Sequence, residues 1–270
     1  MTTVAIIDGD VLAYMSCFSR WAPDTIDDFE VVVLDDAGRK VTPIGTADAD
    51  EEYEEKCWTN FENGLARVLD QTFADDYLMA VSGNGNYRDK IYSGYKANRR
   101  ARPPTDAQRT VPLLRLRAGA AGYALHSDGR EADDFIRIWA FEARRAGHDA
   151  VICSVDKDLR CIVGRHYDLK KGVAFEVDLE TARRNYYTRF LTGDAVDCIP
   201  GIPRCGPVKA GKILASCSTD TQYQEAIVDT YRECFGKDWH SWFLSNAKLL
   251  HIQRSIDDYS LKWPCLSVVH

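Results

Sequence analysis

The stretch Val4-Ala5-Ile6-Ile7-Asp8-Gly9-Asp10 joins a short apolar run to two carboxylates, and it decides the fold expected for this chain. Two further apolar runs of comparable length, Tyr77–Val81 and Ala150–Val155, occur later in the sequence. Runs of this kind, bounded by turn residues, are typical of strands that are buried on both faces. Helical patterns separate them, which predicts an α/β fold with a mostly parallel sheet flanked by helices.

The remaining segments extend this pattern and then depart from it. Gly122–His126 is a candidate fourth strand. Helices are predicted over Glu51–Phe73, Glu131–Gly147 and Asp178–Leu191, with Asp178 as the N-cap of the last one. After residue 193 the strand patterns disappear, and short helices follow to about residue 250. We therefore expect an α/β domain at 1–177 and a helical subdomain at 178–270.

The formal net charge is −7, from 34 basic and 41 acidic residues, but the charges are unevenly distributed. Between Arg88 and Arg117 there are nine basic residues and only two acids, so this segment carries +7 and the rest of the chain −14. A basic strip on an acidic protein is typical of a surface that binds phosphate groups. A solvated loop with incidental arginines would give the same composition, and the sequence leaves both interpretations open.

The nine cysteines show no Cys-x-x-Cys spacing, and their number is odd. This pattern favours reduced thiols, used as small apolar core residues in a cytoplasmic protein, over disulfides or a zinc site. The first residues lack the basic start of a signal peptide. No apolar run approaches the ~18 residues that span a bilayer.

Carboxylates follow two of the predicted strands directly. Asp8 and Asp10 come after the first strand, and Asp156 and Asp158 come after the run at 150–155. Ligands of open α/β sheets bind at this carboxyl edge. Two more acidic groups begin or follow predicted helices: Glu131, Asp133 and Asp134, and then Asp194 and Asp197.

Each acidic group alone could be a helix cap or a turn. If all four converge, however, their mutual repulsion calls for a cation. Oxygen ligands without matching histidine or cysteine favour Mg²⁺ or Mn²⁺ over Zn²⁺, and two such ions suit the in-line transfer of a phosphoryl group. The sequence therefore predicts a two-metal site for phosphoester chemistry.

Five motifs occur in an order that resembles the 5′-nuclease (flap endonuclease) family, which includes stand-alone phage 5′→3′ exonucleases and the 5′-nuclease domain of bacterial DNA polymerase I. The motifs are Ile7-Asp8-Gly9; Tyr87-Arg88 with Tyr95-Lys96-Ala97-Asn98-Arg99; Glu131-Ala132-Asp133-Asp134; Ser154-Val155-Asp156-Lys157-Asp158-Leu159; and Leu191-Thr192-Gly193-Asp194 continuing through Asp197 to Gly201 and Gly206. The last motif is the most specific, and together they span residues 4 to about 215.

The resemblance implies a PIN-like sheet with flanking helices, an arch over the active site at about 88–118, and a helix–three-turn–helix element in the C-terminal subdomain. It implies a divalent-metal-dependent 5′→3′ exonuclease on duplex DNA that also cuts 5′ flaps and leaves 5′-phosphate products. The implied partners are DNA with a 5′ end, flap or nick, or an RNA–DNA hybrid, during replication, DNA degradation or primer removal. A monomer in the cytoplasm of a bacterial or phage-infected cell is expected, with no membrane partner.

The resemblance also assigns roles to single residues. It places the first metal ion on Asp8, Glu131, Asp133 and Asp134, and the second on Asp156, Asp158, Asp194 and Asp197. It places phosphate groups against Lys96, Arg99 and Arg88, the first two on one face if residues 95–99 are helical, and an unpaired base against Tyr95. It places duplex DNA, with K⁺ as a further candidate ion, at the turn containing Gly201 and Gly206 and beside Lys209 and Lys212.

One position departs from the family pattern. The family has an aspartate at the end of the second strand, where this chain has Ser82. A neutral hydroxyl is a weaker ligand, so the first metal ion would bind less tightly unless the additional acid Asp10 compensates. A catalytically weak DNA-binding relative is therefore the alternative, which the retained Asp156 and Asp158 disfavour. A PIN-class ribonuclease is a second alternative, which the Gly201–Gly206 element disfavours.

Overall fold

The computed structural model describes residues 2–18, 47–98 and 106–258. The predicted phosphate ligand Arg99 and the rest of the segment 99–105 lie outside these residues. Within the described ranges, strands alternate with helices as far as residue 177, and the following part is helical except for one short strand pair.

Six strands form the main sheet: β1 (Thr3–Asp8), β2 (Asp76–Val81), β3 (Leu125–His126), β4 (Asp149–Cys153), β5 (Gly164–Asp168) and β6 (Val173–Val177). Their spatial order is β3-β2-β1-β4-β5-β6, and every neighbouring pair is parallel except β5 with β6. The predicted α/β class and the mostly parallel sheet are confirmed.

β1 lies at the centre of the sheet because it is apolar on both faces. Its residues 5–7 are fully buried, and it pairs with β2 on one side and β4 on the other. The register sets Asp8 opposite Ala80 of β2 and Ile7 opposite Cys153 of β4. The carboxyl ends of three strands therefore meet at one edge of the sheet, where the acidic residues were predicted to bind a ligand.

β5 and β6 have no counterpart in the sequence prediction. In β5, Arg165 and His166 interrupt the apolar pattern by which a buried strand is predicted. β6 is an edge strand, and only its last residue, Val177, is fully buried. Both strands depend on pairing with neighbours more than on a local apolar pattern. The strand predicted at 150–155 ends at Cys153, and the one predicted at 122–126 keeps only its last two residues.

Helices cover both faces of the sheet. In chain order, the helices of this part are α1 (Gly9–Ser16), α2 (Ala47–Thr72), α3 (Tyr87–Ile91), α4 (Asp106–Ala120) and α5 (Ala132–Arg145). α1 packs against α2 and α4, whereas α5 packs on β1, β2 and β4. No helix within residues 2–18, 47–98 and 106–258 has the length and apolar character needed to cross a bilayer.

The C-terminal part contains α6 (Leu179–Thr192), α7 (Pro207–Ile213), α8 (Asp220–Phe235) and α9 (Trp239–Leu250), with a 3₁₀ turn at Gly236–Asp238. Another 3₁₀ turn, Asp158–Cys161, follows β4 in the first part of the chain. The strands β7 (Gly193–Asp194) and β8 (Ile199–Pro200) form an antiparallel pair after α6. The Asp178 side chain accepts the Thr181 N–H over 2.7 Å, as expected for an N-cap. One apolar core joins α5 to α6, α8 and α9, so it continues across residue 178, and the division into two domains stays a prediction.

Candidate active site

Asp8 is the last residue of β1 and the N-cap of α1. Its Oδ1 accepts the backbone N–H of Val11 over 3.1 Å, and its Oδ2 accepts the hydroxyl of Ser154 over 2.7 Å. The next residue is a glycine because α1 begins against β2, and a Cβ at Gly9 would lie 2.6 Å from the Val81 side chain. The end of β1, the close packing at Gly9 and the N-cap hydrogen bond to Val11 together hold the Asp8 carboxylate at the edge of the sheet.

Three carboxylates at this edge, those of Asp8, Asp133 and Asp156, act on one another. Burial and the negative charges of Asp10 and Asp156 raise the pKa of Asp8 to about 7. Burial and the charges of Asp156 and Asp8 raise the pKa of Asp133 well above its usual range. Like charges shift a pKa in this way only at short range, so β1, α5 and the turn after β4 bring these three predicted ligands together.

Asp158 begins the 3₁₀ turn after β4 and extends the acidic cluster toward α6. Its backbone N–H donates to Asp156 Oδ1 over 2.8 Å, and its Oδ2 accepts a hydrogen bond from Arg189. Burial raises the pKa of Asp158 to about 6, although the Arg189 charge opposes the shift. Arg189 also lies 3.8 Å from Asp194 Oδ2. The sequence alone does not predict a role for Arg189, since nothing in the pattern of α6 distinguishes it from other basic residues.

A cleft of about 920 Å³ opens at this edge of the sheet. Its lining includes six of the eight predicted metal ligands, namely Asp8, Glu131, Asp133, Asp156, Asp158 and Asp197. Lys96, Arg115 and Lys170 line the same cleft. The cleft therefore combines a concentrated negative charge with cationic groups, an arrangement suited to metal ions and a phosphate backbone.

Asp134 and Arg88 bind each other inside the protein. The Arg88 guanidinium donates to both Asp134 oxygens, over 2.8 and 2.9 Å, and neither residue is more than 1% exposed. Arg88 also donates to the carbonyls of Leu249 and His251, and Asp134 accepts the N–H of Gln253. The predictions of Asp134 as a metal ligand and of Arg88 as a phosphate ligand are therefore corrected. The two residues form a buried ion pair, which links α3 and α5 to the end of α9 and the segment after it.

Tyr95 and Lys96 lie in a turn rather than in the helix considered for residues 95–99. Lys96 has a φ of +51°, and its N–H donates to the carbonyl of Asp197 over 3.0 Å. Tyr95 is 2% exposed, and its hydroxyl donates to Glu131 over 2.8 Å. The prediction that Tyr95 stacks on a base is therefore wrong, because tertiary contacts bury the ring.

The Lys96 ammonium reaches the cleft but is paired with Glu131. It lies 3.6 Å from Asp197 Oδ2 as well. Burial alone would raise the pKa of Glu131, but the charges of Arg88 and Lys96 lower it. Glu131 is thus compensated by protein cations, in contrast to Asp8 and Asp133.

The Asp10 carboxylate lies at the end of β2, beside Ser82. Its Oδ1 accepts the Ser82 N–H over 2.8 Å, and its Oδ2 accepts the Ser82 hydroxyl. The Nε atom of Arg115, on α4, lies 2.7 Å from Asp10 Oδ1. Asp10 therefore reaches the position where the family pattern has an aspartate, and Arg115 supplies a counter-charge. In the sequence, Arg115 is only one of the nine basic residues of the strip.

Asp194 shapes a turn and is not part of the cleft lining in the described structure. Its Oδ1 accepts the N–H groups of Val196 and Asp197, over 2.8 and 3.2 Å. This turn presents Asp197 to the cleft, and in addition to burial the Asp194 charge contributes to the raised pKa of Asp158. Asp194 therefore stays a predicted metal ligand and also positions Asp197.

The glycine turn has two different parts. A Cβ at Gly201 would lie 2.2 Å from the Thr192 backbone, so Gly201 allows close packing of β8 on β7. Gly206 is the N-cap of α7, and a Cβ there would meet nothing within 4 Å. Lys209 and Lys212 are exposed on α7. Gly206 and the two lysines thus form an open basic surface, which leaves their predicted role untested.

The donor set of the cleft fits divalent cations. All the candidate ligands are carboxylate oxygens, and the raised pKa values of Asp8 and Asp133 show repulsion that a cation would relieve. Among the residues that the structure describes, no three acidic, histidine or cysteine side chains stand close enough to chelate one ion directly. Water would therefore complete the coordination, as it commonly does around Mg²⁺.

Fold and cleft together define an α/β protein with an acidic site at the carboxyl edge of a mostly parallel sheet. The family described as "5'-3' exonuclease, N-terminal resolvase-like domain" matches residues 42–189. This match covers more than half of the chain, which belongs to that family.

Curated relatives agree with this assignment. The chain is 35% identical over 147 residues to DNA polymerase I of Rhizobium leguminosarum, covering 47% of this chain and 14% of the polymerase. It is 29% identical over 159 residues to a 5'-3' exonuclease of Buchnera aphidicola subsp. Acyrthosiphon pisum, covering 53% and 55% of the two chains. It is 28% identical over 184 residues to flap endonuclease Xni of Pectobacterium carotovorum, covering 63% and 70%. Most of these relatives are thus considerably longer than the part that matches.

A solved structure supports the fold. The bacteriophage T5 D15 flap endonuclease, in a complex with DNA and metal ions, aligns with a TM-score of 0.55 over 92% of this chain and 99% of that one. The sequence identity is 12%, so this likeness concerns the fold alone.

Proposed function

We propose that this chain is a divalent-metal-dependent nuclease that degrades duplex DNA from 5′ ends, cuts 5′ flaps and leaves 5′-phosphate products. The convergence of Asp8, Asp133, Asp156 and Asp158 in one cleft, within a member of this family, carries the proposal. DNA replication, DNA degradation or removal of RNA primers is the role that fits such an activity, in the cytoplasm of a bacterial or phage-infected cell. A monomer that acts on DNA or on an RNA–DNA hybrid is the proposed working form.

Two Mg²⁺ or Mn²⁺ ions are the proposed cofactor. Asp8 and Asp133 would hold one ion and Asp158 and Asp197 the other, with Asp156 close to both sets, since its charge acts on Asp8, Asp133 and Asp158. When bound, such ions neutralise the phosphate and stabilise the charge that develops during its hydrolysis. K⁺ at the turn between Gly201 and Gly206 stays a prediction.

The chain's own side chains would orient the reactants. Ser154 and the Val11 N–H fix the Asp8 carboxylate, so little motion is needed when an ion binds. When the substrate binds, the Lys96 ammonium would leave Glu131 and contact the scissile phosphate, which offers a stronger negative charge at hydrogen-bonding distance. Lys209 and Lys212 would contact the duplex backbone away from the cut without selecting a sequence.

Excess chelator should abolish cleavage of a 5′-flap and of a blunt duplex, because phosphate cannot approach the uncompensated carboxylates. Gels with 5′-labelled and 3′-labelled strands, with and without Mg²⁺, would show the requirement and the polarity together. Mg²⁺ should also raise the Tm of the protein alone, since the ion binds the folded state. Undiminished hydrolysis in chelator would refute the proposal.

We propose that the Asp10 carboxylate takes over the role of the strand-end aspartate, which this chain replaces with Ser82. Asp10→Ala should then raise the Mg²⁺ concentration needed for half-maximal cleavage by about tenfold. Ser82→Asp should give no tighter site, because the new carboxylate would face Asp10 directly. Asp229→Asn on the exposed surface of α8 is the matched control. If Asp10→Ala left the Mg²⁺ titration unchanged, Asp10 would have no part in the metal site.

The alternative of a catalytically weak DNA-binding relative rests on Ser82 alone. The position of Asp10 beside Ser82 removes much of its support. The same gels decide the matter, since a wild-type chain that binds the flap but never cuts it in Mg²⁺ or Mn²⁺ would favour the alternative.

A further inference from the structure

Arg189 lies between two segments that carry predicted metal ligands. It belongs to the last turn of α6, and its side chain is largely buried, with 16% exposed. Its Nη2 atom donates a hydrogen bond to Asp158 Oδ2, at the start of the 3₁₀ turn after β4. The same atom lies 3.8 Å from Asp194 Oδ2, in β7. One guanidinium therefore bridges two carboxylates that are predicted ligands of the second metal ion.

The packing of α6 fixes the backbone of Arg189 at this place. Tyr186, one turn earlier, is buried in the core, and the Asn185 amide donates to the carbonyl of Arg160 in the 3₁₀ turn over 3.1 Å. The Gly193 N–H donates to the Arg189 carbonyl where the helix ends. Because the backbone is held beside both acidic segments, a change of partner would involve the Arg189 side chain alone.

Hydrogen bonding distinguishes Arg189 from arginines with a structural role. The Arg88 guanidinium donates from all three of its nitrogens. Arg183, also on α6, donates to both Asp220 oxygens, over 3.2 and 3.1 Å. The Nη1 atom of Arg189, in contrast, is buried and has no hydrogen-bond partner among the residues that the structure describes. A buried donor without a partner is destabilising, so the contact with Asp158 satisfies Arg189 only in part.

The two carboxylates need a positive charge between them, but not necessarily that of an arginine. Asp158 and Asp194 would repel each other without a cation, and Arg189, which lines the cleft, supplies a single charge. A divalent ion offers twice that charge and prefers the same carboxylate oxygens. Arg189 and such an ion would therefore compete for Asp158 and Asp194.

We propose that Arg189 is a positioning residue that keeps Asp158 and Asp194 together in the metal-free protein and is exchanged for a divalent ion. This inference rests on the two-metal site of the proposed function. Arg189 stabilises the metal-free arrangement of the two acidic segments, and the loss of its hydrogen bond opposes the binding of the second ion. The arginine thus limits how tightly that ion is held.

Titration of the full chain with Mn²⁺, in which electron paramagnetic resonance follows the free ion, measures this competition without cleavage. Arg189→Gln should bind the second ion about tenfold more tightly than the wild type, because no hydrogen bond between charged groups has to be broken. Arg189→Lys keeps the charge and should stay close to the wild type. Arg183→Gln removes a comparably buried ion pair from the same helix and should leave the titration unchanged.

Thermal unfolding distinguishes this exchange from a purely structural role. Arg189→Gln and Arg183→Gln should both lower the Tm of the metal-free protein, but Mn²⁺ should recover the loss only in Arg189→Gln. Unchanged or weaker Mn²⁺ binding by Arg189→Gln would overturn the inference and leave the proposed function standing. A wild-type chain that binds no Mn²⁺ would overturn both.

Discussion

Asp133→Asn is expected to slow cleavage on the order of 10³-fold while making the metal-free protein more stable. Asp133 is held beside Asp8 and Asp156, and burial with these charges raises its pKa well above the usual range. The charged form therefore destabilises the fold at neutral pH, and a neutral amide of the same shape removes that cost. Loss of one ligand from the proposed metal site should remove about 4 kcal/mol of transition-state stabilisation, on the order of 10³-fold in rate.

Cleavage assays and thermal unfolding without metal measure the two effects on the same protein. The Mg²⁺-induced rise in Tm should shrink in Asp133→Asn, while binding to a 5′-flap oligonucleotide should persist. Asp229→Asn, far from the cleft on α8, should change none of these quantities. A fall in both activity and metal-free Tm would indicate that Asp133 has a structural role instead.

Arg88→Ala is expected to cost about 3–5 kcal/mol of the free energy of unfolding. The substitution leaves the fully buried Asp134 carboxylate without its bidentate partner and removes the Arg88 donor from the carbonyls of Leu249 and His251. An unpaired buried charge costs far more than the ion pair contributes. Urea denaturation, followed by far-UV circular dichroism, measures the loss.

Lys90→Ala is the matched control, because Lys90 lies two residues away on α3 and is exposed. It should change stability by no more than about 0.5 kcal/mol. Cleavage per folded molecule distinguishes Arg88 as a structural partner of Asp134 from Arg88 as a phosphate ligand. A stable Arg88→Ala variant with weakened DNA binding would restore the original prediction that Arg88 contacts phosphate.

The central strands could be predicted because each carries its own signal. Most apolar residues of β1, β2 and β4 are buried, and they lie on both faces of the sheet, so hydrophobicity alone marks these strands. β5 and β6 could not be predicted in this way, since their polar residues are tolerated at the side of the sheet and their conformation follows from pairing. The same distinction applies to helices: the local cap of Asp178 predicted α6, whereas long-range contacts of Tyr95 and Lys96 replaced the helix considered at 95–99.

Sequence by itself determined the class of fold and the place of the acidic cleft. Short apolar runs followed by Asp8 and Asp156 suffice, because parallel strands bring their carboxyl ends to one edge of the sheet. Only the tertiary structure decided which of the charged residues at that edge are paired and which are not. Asp134 and Arg88 neutralise each other in the core, and Asp10 takes the place beside Ser82. Asp8 and Asp133 have no matching cation among the residues that the structure describes. Motif spacing fixes which residues reach an edge, but the energy of a buried charge depends on partners from distant parts of the chain.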